Sequence, residues 1–368
     1  MAENLAPVPP NGVVGVLGGG QLGRMLSMAA ARLGLRAHIF CPEENCPARD
    51  VSAAHTIASY TDENSLKKFA AQVDVVTYEF ENVPAETVSI LEGLGVAVAP
   101  DKRALEIAQD RLKEKEFVIK LGGKTPLYHP VDGLESLSDG LKITGRPAIL
   151  KTRHLGYDGK GQTRIDVTSN DLDQTWEQAN IHAWEAVGAR PSILEAFVPF
   201  EREISLIAAR GRDGAIEIYD PPENIHKNGI LSQSIVPQGL SDDVVVKARE
   251  LTTKMLKTLD YVGVIGVEFF VMVSGDVLVN EFAPRVHNSG HWTEAACYTS
   301  QFEQHIRAVC GWPLGKSTRH SDFEMNNLIG DEAKAWKNHA STSIQILNLY
   351  GKKEIRPGRK MGHVTKLL

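Results

Sequence analysis

The segment VIGVEFFVMVSGDVLVNEFAPRVHNSGHW (residues 264–292) contains two apolar, β-branched runs that are separated by a short polar turn. Residues 274–276 have the composition of a hairpin turn between antiparallel strands. Glu268 lies within the first run, and Glu281 ends the second run directly after Asn280. Because adjacent antiparallel strands place opposed side chains close together, we predict that these two carboxylates and the amide are neighbours.

Carboxylates in strands this apolar need compensation, because burying an unpaired charge is costly. Mg²⁺ is commonly held by one or two carboxylates together with substrate phosphates. We therefore predict that Glu268 and Glu281 are metal ligands. The alternative is that each carboxylate pairs with a structural arginine, but clustered polar groups on apolar elements favour a site.

The loop after the second run carries a dense set of polar side chains, Arg285, His287, Asn288 and His291. Cationic and amide groups beside a metal-binding pair of carboxylates suit an anionic substrate. The loop therefore predicts an acceptor site next to a metal-bound nucleotide.

The overall composition is that of an ordinary globular protein. The chain has 368 residues, of which 42% are hydrophobic and 23% charged, with a formal net charge of −6. This length accommodates two or three domains. The acidic balance argues against a nucleic-acid binder that relies on overall positive charge. No stretch reaches the length of a membrane span, and the N-terminus lacks the regions of a signal peptide.

Cysteine usage indicates a reducing compartment. The four cysteines are Cys41, Cys46, Cys297 and Cys310. Their spacing matches no zinc pattern, and they are too few for a disulfide scaffold. We therefore expect a cytoplasmic protein.

The N-terminal region has the pattern of a βαβ unit. A short apolar strand over residues 12–17 leads into GGGQLGR (residues 18–24), and a helix is predicted over residues 21–33. The region therefore predicts a doubly wound parallel sheet that ends near Pro100. Its further strands are predicted at residues 36–41, 56–58, 73–78 and 96–99.

The glycines of this region match a dinucleotide-binding fingerprint. Gly18, Gly20 and Gly23 have the required spacing, and Glu43 and Glu44 lie near the expected distance of the acidic residue. A nicotinamide-dependent dehydrogenase is therefore an alternative. However, helix amides and a close glycine backbone suit any phosphate, so the motif indicates phosphate binding more strongly than NAD.

A charged amphipathic helix over residues 101–121 is predicted to connect the first domain to the next. A strand at residues 147–151 then leads into the loop GYDGKGQ (residues 156–162). Glycines permit close approach to a polyphosphate and Lys160 supplies charge, although a plain glycine-rich hairpin is the alternative. Lys151 favours a phosphate site, because a lysine in an apolar strand needs an anionic partner.

The strands that follow offer an edge for a nucleotide. Strands are predicted over residues 192–197 and 204–209, with Glu201 and Glu203 between or near them. A backbone edge here suits an adenine and a carboxylate suits ribose hydroxyls; an edge strand with surface glutamates is the alternative. Amphipathic helices are predicted at residues 241–259 and 302–310.

The segment at residues 350–360 is basic although the chain as a whole is acidic. A solvated tail is the usual interpretation of such a segment. A phosphate clamp is favoured only if the segment folds back on Gly20.

Four motifs, taken in order, resemble those of the N5-carboxyaminoimidazole ribonucleotide synthetases, an ATP-grasp family of purine biosynthesis. The likeness covers about residues 13–363, and the last two motifs are specific to this family among ATP-grasp enzymes. The family usually continues through a further helix and strand after the last motif, and residues 1–12 precede its usual start and are expected to be disordered. The motifs are GGGQLGRM (18–25), GYDGKGQ (156–162), NEFAPRVHNSGHWT (280–293) and RPGRKMGH (356–363).

The resemblance implies an ATP-grasp fold, with α/β and α+β parts, in three domains. Residues 1–110 would form a Rossmann-like pre-ATP-grasp domain that binds the ribonucleotide phosphate. Residues 111–200 would form the small lid domain, and residues 201–368 the large domain with the metal and acceptor site. The resemblance also implies a homodimer.

The same resemblance assigns roles to individual residues. ATP would contact Arg111, Lys151, Glu195, Val198, Glu203, His226, Asn280 and Glu281, under a loop formed by Gly156, Tyr157, Asp158, Gly159, Lys160, Gly161 and Gln162. Mg²⁺ would be held by Glu268 and Glu281. The ribonucleotide would contact Gly20, Gln21, Leu22, Lys353 and Arg356 through its phosphate and Glu79 or Glu81 through its ribose. Catalytic groups would be Tyr157, Lys160, Arg285, His287, Asn288 and Lys353.

The implied reaction is the ATP-dependent carboxylation of 5-aminoimidazole ribonucleotide by bicarbonate through carboxyphosphate, without biotin. A formate-using ATP-grasp ligase is an alternative that would require different groups in residues 285–291. A nucleotide-sensing module that has lost catalysis is a second alternative. It would predict damage at Glu268, Glu281 or Lys151, and all three are intact.

Overall fold

The computed structural model describes residues 6–154, 161–166 and 176–368. The N-terminal domain is a parallel sheet flanked by helices, as predicted. Its helices are α1 (Gln21–Arg32), α2 (Glu63–Ala70) and α3 (Ala85–Gly93), and its strands are β1 (Val13–Leu17), β2 (Arg36–Cys41), β3 (Ala54–Ile57) and β4 (Val75–Tyr78). The strand order is β3-β2-β1-β4. The strand predicted at residues 96–99 is reduced to one parallel bridge, Val76 to Val98.

Two helices, rather than the predicted single helix, connect the first domain to the second. They are α4 (Lys102–Ala108) and α5 (Arg111–Lys120). The chain is extended at Asp110, whose side chain accepts a hydrogen bond from the amide of Leu112 at 3.0 Å. Asp110 is thus the N-cap of α5, which explains the break.

The second domain is a small antiparallel sheet with two helices, α6 (Leu134–Thr144) and α7 (Trp176–Ala186). Its strands are β5 (Tyr128–Val131), β6 (Ala148–Thr152), β7 (Gln162–Ile165) and β8 (Ser192–Ala196). They lie in the order β5-β8-β6-β7. One face is buried against both helices, in a cluster that includes Leu137, Leu150 and Leu194.

A large antiparallel sheet forms the rest of the chain. It begins with β9 (Arg202–Arg210), β10 (Ile216–Ile218), β11 (Glu223–Lys227), β12 (Ile230–Ile235), β13 (Gly263–Val271) and β14 (Val277–Ala283), and ends with β15 (Phe323–Ile329), β16 (Gln345–Leu349) and β17 (Lys360–Leu367). The order is β14-β13-β9-β11-β12-β15-β17-β16, with β10 on β9. The helices of this region are α8 (Asp242–Thr258), α9 (Thr293–Ala296), α10 (Gln301–Cys310) and α11 (Trp336–Ala340).

The predicted hairpin is formed by β13 and β14. The second strand is longer than predicted and runs on to Ala283, so Glu281 lies inside it rather than at its end. The predicted helix at residues 241–259 begins at an N-cap, Ser241, whose hydroxyl accepts from the amide of Val244.

The first domain and the large sheet share one hydrophobic core. Side chains of α1 and α10 pack together, and Leu26, Ile207 and Trp292 belong to one buried cluster. The expectation that the first dozen residues are disordered is wrong around Val8, which is 5% exposed. The amide of Val8 donates to the carbonyl of Cys310, and its carbonyl accepts from the indole of Trp312.

Helices capable of crossing a membrane are absent from the described ranges, because none combines sufficient length with sufficient apolar character.

Candidate active site

The two opposed carboxylates of the hairpin face one cleft. Glu268 and Glu281 are paired across β13 and β14, and the register shifts directly after Glu268. Asn280 lies beside them, and its Oδ1 atom is buried without a hydrogen-bond partner. Two carboxylates and an orphaned amide oxygen are hard donors, so the set fits Mg²⁺.

The two carboxylates have opposite electrostatic environments. Burial, and next the charge of Glu281, raise the pKa of Glu268 to about 7. Burial opposes ionisation of Glu281 as well, but Arg111 and then Lys151 outweigh it and lower the pKa of Glu281 to about 2. A cation between them would favour the ionised form of both.

Glu195 on β8 joins two lysines on the lid side of the cleft. Its oxygens lie 3.2 Å from Nζ of Lys115 and 2.6 Å from Nζ of Lys151. Burial opposes its ionisation, but Lys115 and then Lys151 lower the pKa of Glu195 to about 2. Lys115 also donates to the carbonyl of Asn280 at 2.5 Å. Lys115 therefore connects α5 to the small sheet through Glu195 and to the large sheet through Asn280.

Arg111, the first residue of α5, reaches across the cleft to Glu281, one of the two predicted metal ligands. Its Nη1 lies 3.0 Å from a carboxylate oxygen of Glu281. The preceding residue, Asp110, accepts two hydrogen bonds of 2.7 Å from Arg153, which follows β6. The break between α4 and α5 thus positions Arg111 and links the connecting helices to the lid.

A histidine–carboxylate pair lies next to the hairpin. Nδ1 of His226 lies 2.8 Å from Glu203. Burial opposes protonation of this ring, but the hydrogen bond to Glu203 raises the pKa of His226. Donor atoms of Glu203, His226 and Glu268 all lie within 4.8 Å of one another.

These groups line a cavity of about 470 Å³ between the lid and the large sheet. The volume falls in the range of ligand sites. Most of the residues that the sequence assigned to ATP and the metal meet here, together with His287 and Asn288. They are Arg111, Lys151, Gln162, Glu195, Val198, Glu203, His226, Glu268, Asn280 and Glu281.

The sequence reasoning missed the apolar wall of this cavity. Phe200 and Phe270 stack with ring centroids 4.6 Å apart, and Ile149 and Phe197 also line the cavity. The predicted strands indicate that these side chains lie on or near strands. They do not indicate that the side chains converge, because that depends on how the lid packs against the large sheet. Lys360 in the last motif lines the cavity as well.

A second missed residue is Glu114 on α5, which is 2% exposed. Its carboxylate accepts from the amide of Phe282 at 2.7 Å. Burial raises the pKa of Glu114 to about 7. Its position within a charged helix gave no signal of this contact.

The acceptor loop lines a smaller adjoining cavity of about 50 Å³. Arg285 forms an ion pair with Glu81 of the first domain. Nε2 of His287 lies 3.7 Å from Glu268. Burial, and next the charge of Arg285, lower the pKa of His287 to about 3, so its imidazole is neutral. Both side-chain amide atoms of Asn288 are buried without a hydrogen-bond partner.

Gln301 fixes the backbone of the acceptor loop. Its side chain accepts from the amide of His287 at 2.9 Å and donates to the carbonyl of the same residue at 2.7 Å. His291, part of the predicted polar set, is fully buried and contacts Gln301 at 3.1 Å. The structure therefore places His291 behind the loop.

The glycine loop before α1 is occupied by a carboxylate of its own domain. Glu79 accepts from the amide of Gly20 at 2.5 Å and from that of Gly23 at 2.7 Å. Gln21 and Leu22 lie in the first helical turn, where amides have no intrahelical acceptor. The loop thus offers the two amides that Glu79 does not use.

The basic C-terminal segment does reach the first domain. Nζ of Lys353 donates to the side-chain oxygen of Asn45 at 2.9 Å. Arg356 instead pairs with Glu354, and its side chain is 68% exposed. The structure brings Lys353, but not Arg356, against the first domain.

Several predicted residues lie outside the described part of the chain: Gly156, Tyr157, Asp158, Gly159 and Lys160. Gly161 is described, with φ +70°, and its carbonyl accepts from the amide of Thr152 at 2.7 Å. Gln162 pairs with Lys151 across β6 and β7, and both residues line the cavity.

Comparison with known families defines the class. Residues 12–109 match the ribonucleotide synthetase preATP-grasp domain, residues 116–302 the ATP-grasp domain, and residues 324–368 the phosphoribosylaminoimidazole carboxylase C-terminal domain. The chain is therefore an ATP-grasp enzyme. An N5-carboxyaminoimidazole ribonucleotide synthase of Brucella melitensis is 51% identical over 97% of each chain. The chain belongs to the N5-carboxyaminoimidazole ribonucleotide synthase family.

Solved structures agree with this assignment. An N5-carboxyaminoimidazole synthetase from Staphylococcus aureus complexed with ADP matches with a TM-score of 0.92 and 34% identity, covering 100% of this chain and 96% of that one. A synthase from Aspergillus clavatus in complex with ADP and 5-aminoimidazole ribonucleotide matches with a TM-score of 0.88 and 29% identity, covering 98% and 94%. The predicted fold, family, and use of ATP with Mg²⁺ by an ATP-dependent ligase are confirmed.

Proposed function

We propose that this chain carboxylates 5-aminoimidazole ribonucleotide with bicarbonate at the expense of ATP. Bicarbonate attacks the γ-phosphorus of ATP, which gives carboxyphosphate and ADP. The exocyclic amine then captures the carboxyl carbon, as CO₂ released in the closed site, and phosphate leaves. One observation carries the proposal. The carboxylates of Glu268 and Glu281, which suit a metal ion, and the loop Arg285–Asn288 border two adjoining cavities.

The larger cavity is proposed to hold ATP. Phe200 and Phe270 offer an apolar wall for the base, and the backbone from Glu195 to Val198 offers an edge for the adenine. Glu203 is placed for the ribose hydroxyls. Positive charge for the phosphates would come from Lys151 and Arg111, together with the predicted loop at residues 156–162.

Glu268, Glu281 and Asn280 are proposed to hold Mg²⁺. When bound, Mg²⁺ supplies positive charge that offsets the negative charge of the transferring phosphoryl group. The raised pKa of Glu268 and the unpartnered Oδ1 of Asn280 both support a cation here. Arg111 holds Glu281 in place through its ion pair.

The smaller cavity is proposed to receive bicarbonate and the aminoimidazole. Phosphoryl transfer to bicarbonate needs no protein nucleophile, so positioning and charge stabilisation suffice. The guanidinium of Arg285 is positioned by Glu81. Asn288, which lines the larger cavity, has both amide atoms available for hydrogen bonds. The neutral imidazole of His287 can accept or donate a hydrogen bond without adding charge. Tyr157 and Lys160 remain predicted contacts.

The 5′-phosphate of the ribonucleotide is proposed to bind at the start of α1. Amides of Gln21 and Leu22 point away from the helix at the positive end of its dipole. Lys353 lies against the same domain and supplies charge, whereas Arg356 would have to leave its partner Glu354 to contribute. Glu81 is paired with Arg285 and Glu79 accepts from the amides of Gly20 and Gly23, so both remain candidates for the ribose.

The domain limits are proposed as residues 1–110, 111–200 and 201–368. Each of the three sheets lies within one of these ranges, which supports the division. A cytoplasmic homodimer is proposed as well, on the resemblance of the whole chain to its family. Analytical ultracentrifugation tests the dimer, and a single species at 40.3 kDa would contradict it.

The reaction is tested by ADP release with Mg-ATP and labelled bicarbonate, with and without aminoimidazole ribonucleotide. ADP and acid-labile labelled product that appear together, in equal amounts, are the expected result. Incorporation of labelled formate instead would favour a formate-using ligase. ATP binding without any ADP release from folded protein would favour a nucleotide-sensing module.

A further inference from the structure

Three metal-ligating side chains converge in the first domain, away from the hairpin carboxylates. Cys41 is the last residue of β2, Cys46 lies in the loop that follows, and His55 lies on the adjacent strand β3. Both thiols are buried and the histidine is half-buried. The function proposed above uses none of these three groups.

The distances among the three donor atoms match the edges of a tetrahedral metal site. The two sulfurs lie 3.4 Å apart, and Nε2 of His55 lies 3.3 Å from Sγ of Cys41 and 3.9 Å from Sγ of Cys46. With zinc–sulfur bonds of about 2.3 Å and zinc–nitrogen bonds of about 2.0 Å, a tetrahedron has S···S edges of about 3.8 Å and S···N edges of about 3.5 Å. A small adjustment therefore places all three atoms around one ion.

We propose that Cys41, Cys46 and His55 bind one thiophilic divalent metal ion of the zinc class. Two thiolates and an imidazole suit Zn²⁺ or Co²⁺ and not Mg²⁺, which prefers oxygen donors. Three protein ligands leave a fourth position for water. Sequence spacing could not indicate the site, because the third ligand comes from the neighbouring strand.

A redox pair of cysteines is the competing explanation, and the geometry disfavours it. Reactive cysteines are partly exposed. Cys41 is completely buried. The third converging group, His55, has no role in a simple disulfide but completes a metal site.

The proposed ion would brace the inner side of the glycine loop. A Cβ atom added to Gly19 would lie 2.4 Å from Sγ of Cys46 and 2.7 Å from Sγ of Cys41, so the sulfurs touch this glycine. Asn45, in the loop between the two cysteines, accepts from Lys353. The metal site therefore connects β2, β3, the glycine loop and the basic C-terminal segment.

The test is a Co²⁺ titration of reduced, chelator-treated full-length protein, followed by absorption spectroscopy. Thiolate-to-cobalt charge transfer reports cysteine ligation and does not arise from oxygen and imidazole donors such as Glu203, His226 and Glu268. We expect the signal to saturate at one Co²⁺ per chain and to disappear when Zn²⁺ is added. The readout needs no turnover, so it is independent of the reaction proposed above.

Two variants and one control make the test specific. Cys46→Ser leaves one thiolate ligand and is expected to reduce the charge-transfer signal to about half or less. His55→Gln removes a half-buried ligand without touching the thiols. It should weaken Co²⁺ binding by more than the roughly 10- to 100-fold loss typical of changes to residues that only support the ligands. Cys297→Ser removes a buried thiol elsewhere and should leave the signal unchanged.

The outcomes separate clearly. A reduced signal in Cys46→Ser, weakened Co²⁺ binding in His55→Gln and an unchanged control support the site. No charge transfer from folded wild-type protein, or a signal of wild-type strength and affinity from both variants, would overturn the proposal. Rapid formation of a Cys41–Cys46 disulfide with hydrogen peroxide, in protein that fails to bind Co²⁺, would identify a redox pair instead.

Discussion

The cleft between the lid and the large sheet differs from the glycine loop before α1 in the groups that compensate the charge of its acidic side chains. In the cleft, acidic and basic side chains from different elements pair with each other, as Glu195 does with Lys151 and Glu281 with Arg111. At the glycine loop, the carboxylate of Glu79 accepts hydrogen bonds from backbone amides. Ion pairs thus fix the first region, whereas peptide dipoles hold the second.

This difference has a consequence for binding. Breaking a buried ion pair leaves a charge uncompensated, so the ion pairs hold the cleft in place. At the glycine loop, the ribonucleotide phosphate proposed above would approach amides beside an acidic group. Burial raises the pKa of Glu79. Changes in the cleft should therefore affect catalysis and stability, and changes at the loop mainly ribonucleotide binding.

The largest effect is expected from Glu281→Gln, which removes charge from the proposed metal site. ADP release with Mg-ATP and bicarbonate should fall by at least about 10²-fold, because charge stabilisation of the transferring phosphoryl group is lost. Circular dichroism should show a retained fold. Glu201→Gln, which alters an exposed carboxylate near β9, is the matched control. Normal ADP release by Glu281→Gln would remove this residue from the metal site.

Arg285→Ala should cut ribonucleotide use while sparing nucleotide binding. Loss of a partly buried guanidinium costs about 2–3 kcal/mol, so kcat/KM for the ribonucleotide should fall about 10²-fold. The KM for ATP should change little. Because the variant leaves Glu81 unpaired, the double variant Arg285→Ala, Glu81→Gln serves as the control for stability. An unchanged kcat/KM would exclude Arg285 from the acceptor site.

The sequence predicted the hairpin site better than its surroundings, for a physical reason. Two continuous apolar runs separated by a turn predict β13 and β14 as a hairpin. The pairing of Glu268 in the first run with Glu281 at the end of the second therefore followed from local pattern alone. The break at Asp110 did not follow. This residue sits in a continuous charged stretch, and its partner Arg153 comes from a strand end of another domain.

The partners of the cleft lysines were also beyond sequence reasoning. The need of Lys151 for an anion followed from its apolar strand, but the anion in the structure is Glu195 on the adjacent strand β8. Lys115 was hidden in the charged pattern of α5, although it is completely buried. Ion pairs of this kind depend on tertiary packing, which the hydrophobic periodicity of a single segment does not reveal.

Glu195→Gln tests whether the cleft depends on its ion pairs. The variant leaves two buried lysines without their carboxylate, so the free energy of unfolding should fall by about 3 kcal/mol. Urea unfolding monitored by tryptophan fluorescence measures this. Glu185→Gln changes an exposed glutamate on α7 and should have little effect. Equal stabilities of the two variants would mean that the pairs do not hold the cleft together.

Glu79→Gln tests whether hydrogen bonds from backbone amides to this side chain shape the glycine loop. A glutamine has one acceptor oxygen, so one of the two amides now bound by Glu79 would lose its partner, at a cost of about 1–2 kcal/mol. We expect the KM for the ribonucleotide to rise about 10-fold, with the KM for ATP unchanged. Glu86→Gln, an exposed residue at the start of α3, is the control. A parallel rise in both KM values would show that the two regions are not independent.

The smallest effect concerns Asp110, which joins the connecting helices to the lid. Burial opposes its ionisation, but hydrogen bonds from Arg153 lower the pKa of Asp110 below its usual value. A carboxylate with a lowered folded-state pKa stabilises the protein above its unfolded pKa, and this contribution disappears as the pH falls through the folded pKa. Asp110→Asn keeps the helix cap and loses the charge, so it should destabilise the protein by about 1–2 kcal/mol at neutral pH.

The pH dependence of that difference is the decisive measurement. Urea midpoints of wild type and Asp110→Asn should converge as the pH is lowered below about 4, because the wild-type carboxyl group then becomes neutral as well. Asp139→Asn provides the contrast, since the Asp139–Lys142 pair is exposed and solvent screens it. If the Asp110 difference stayed constant across this range, hydrogen-bond geometry rather than charge would join the connecting helices to the lid.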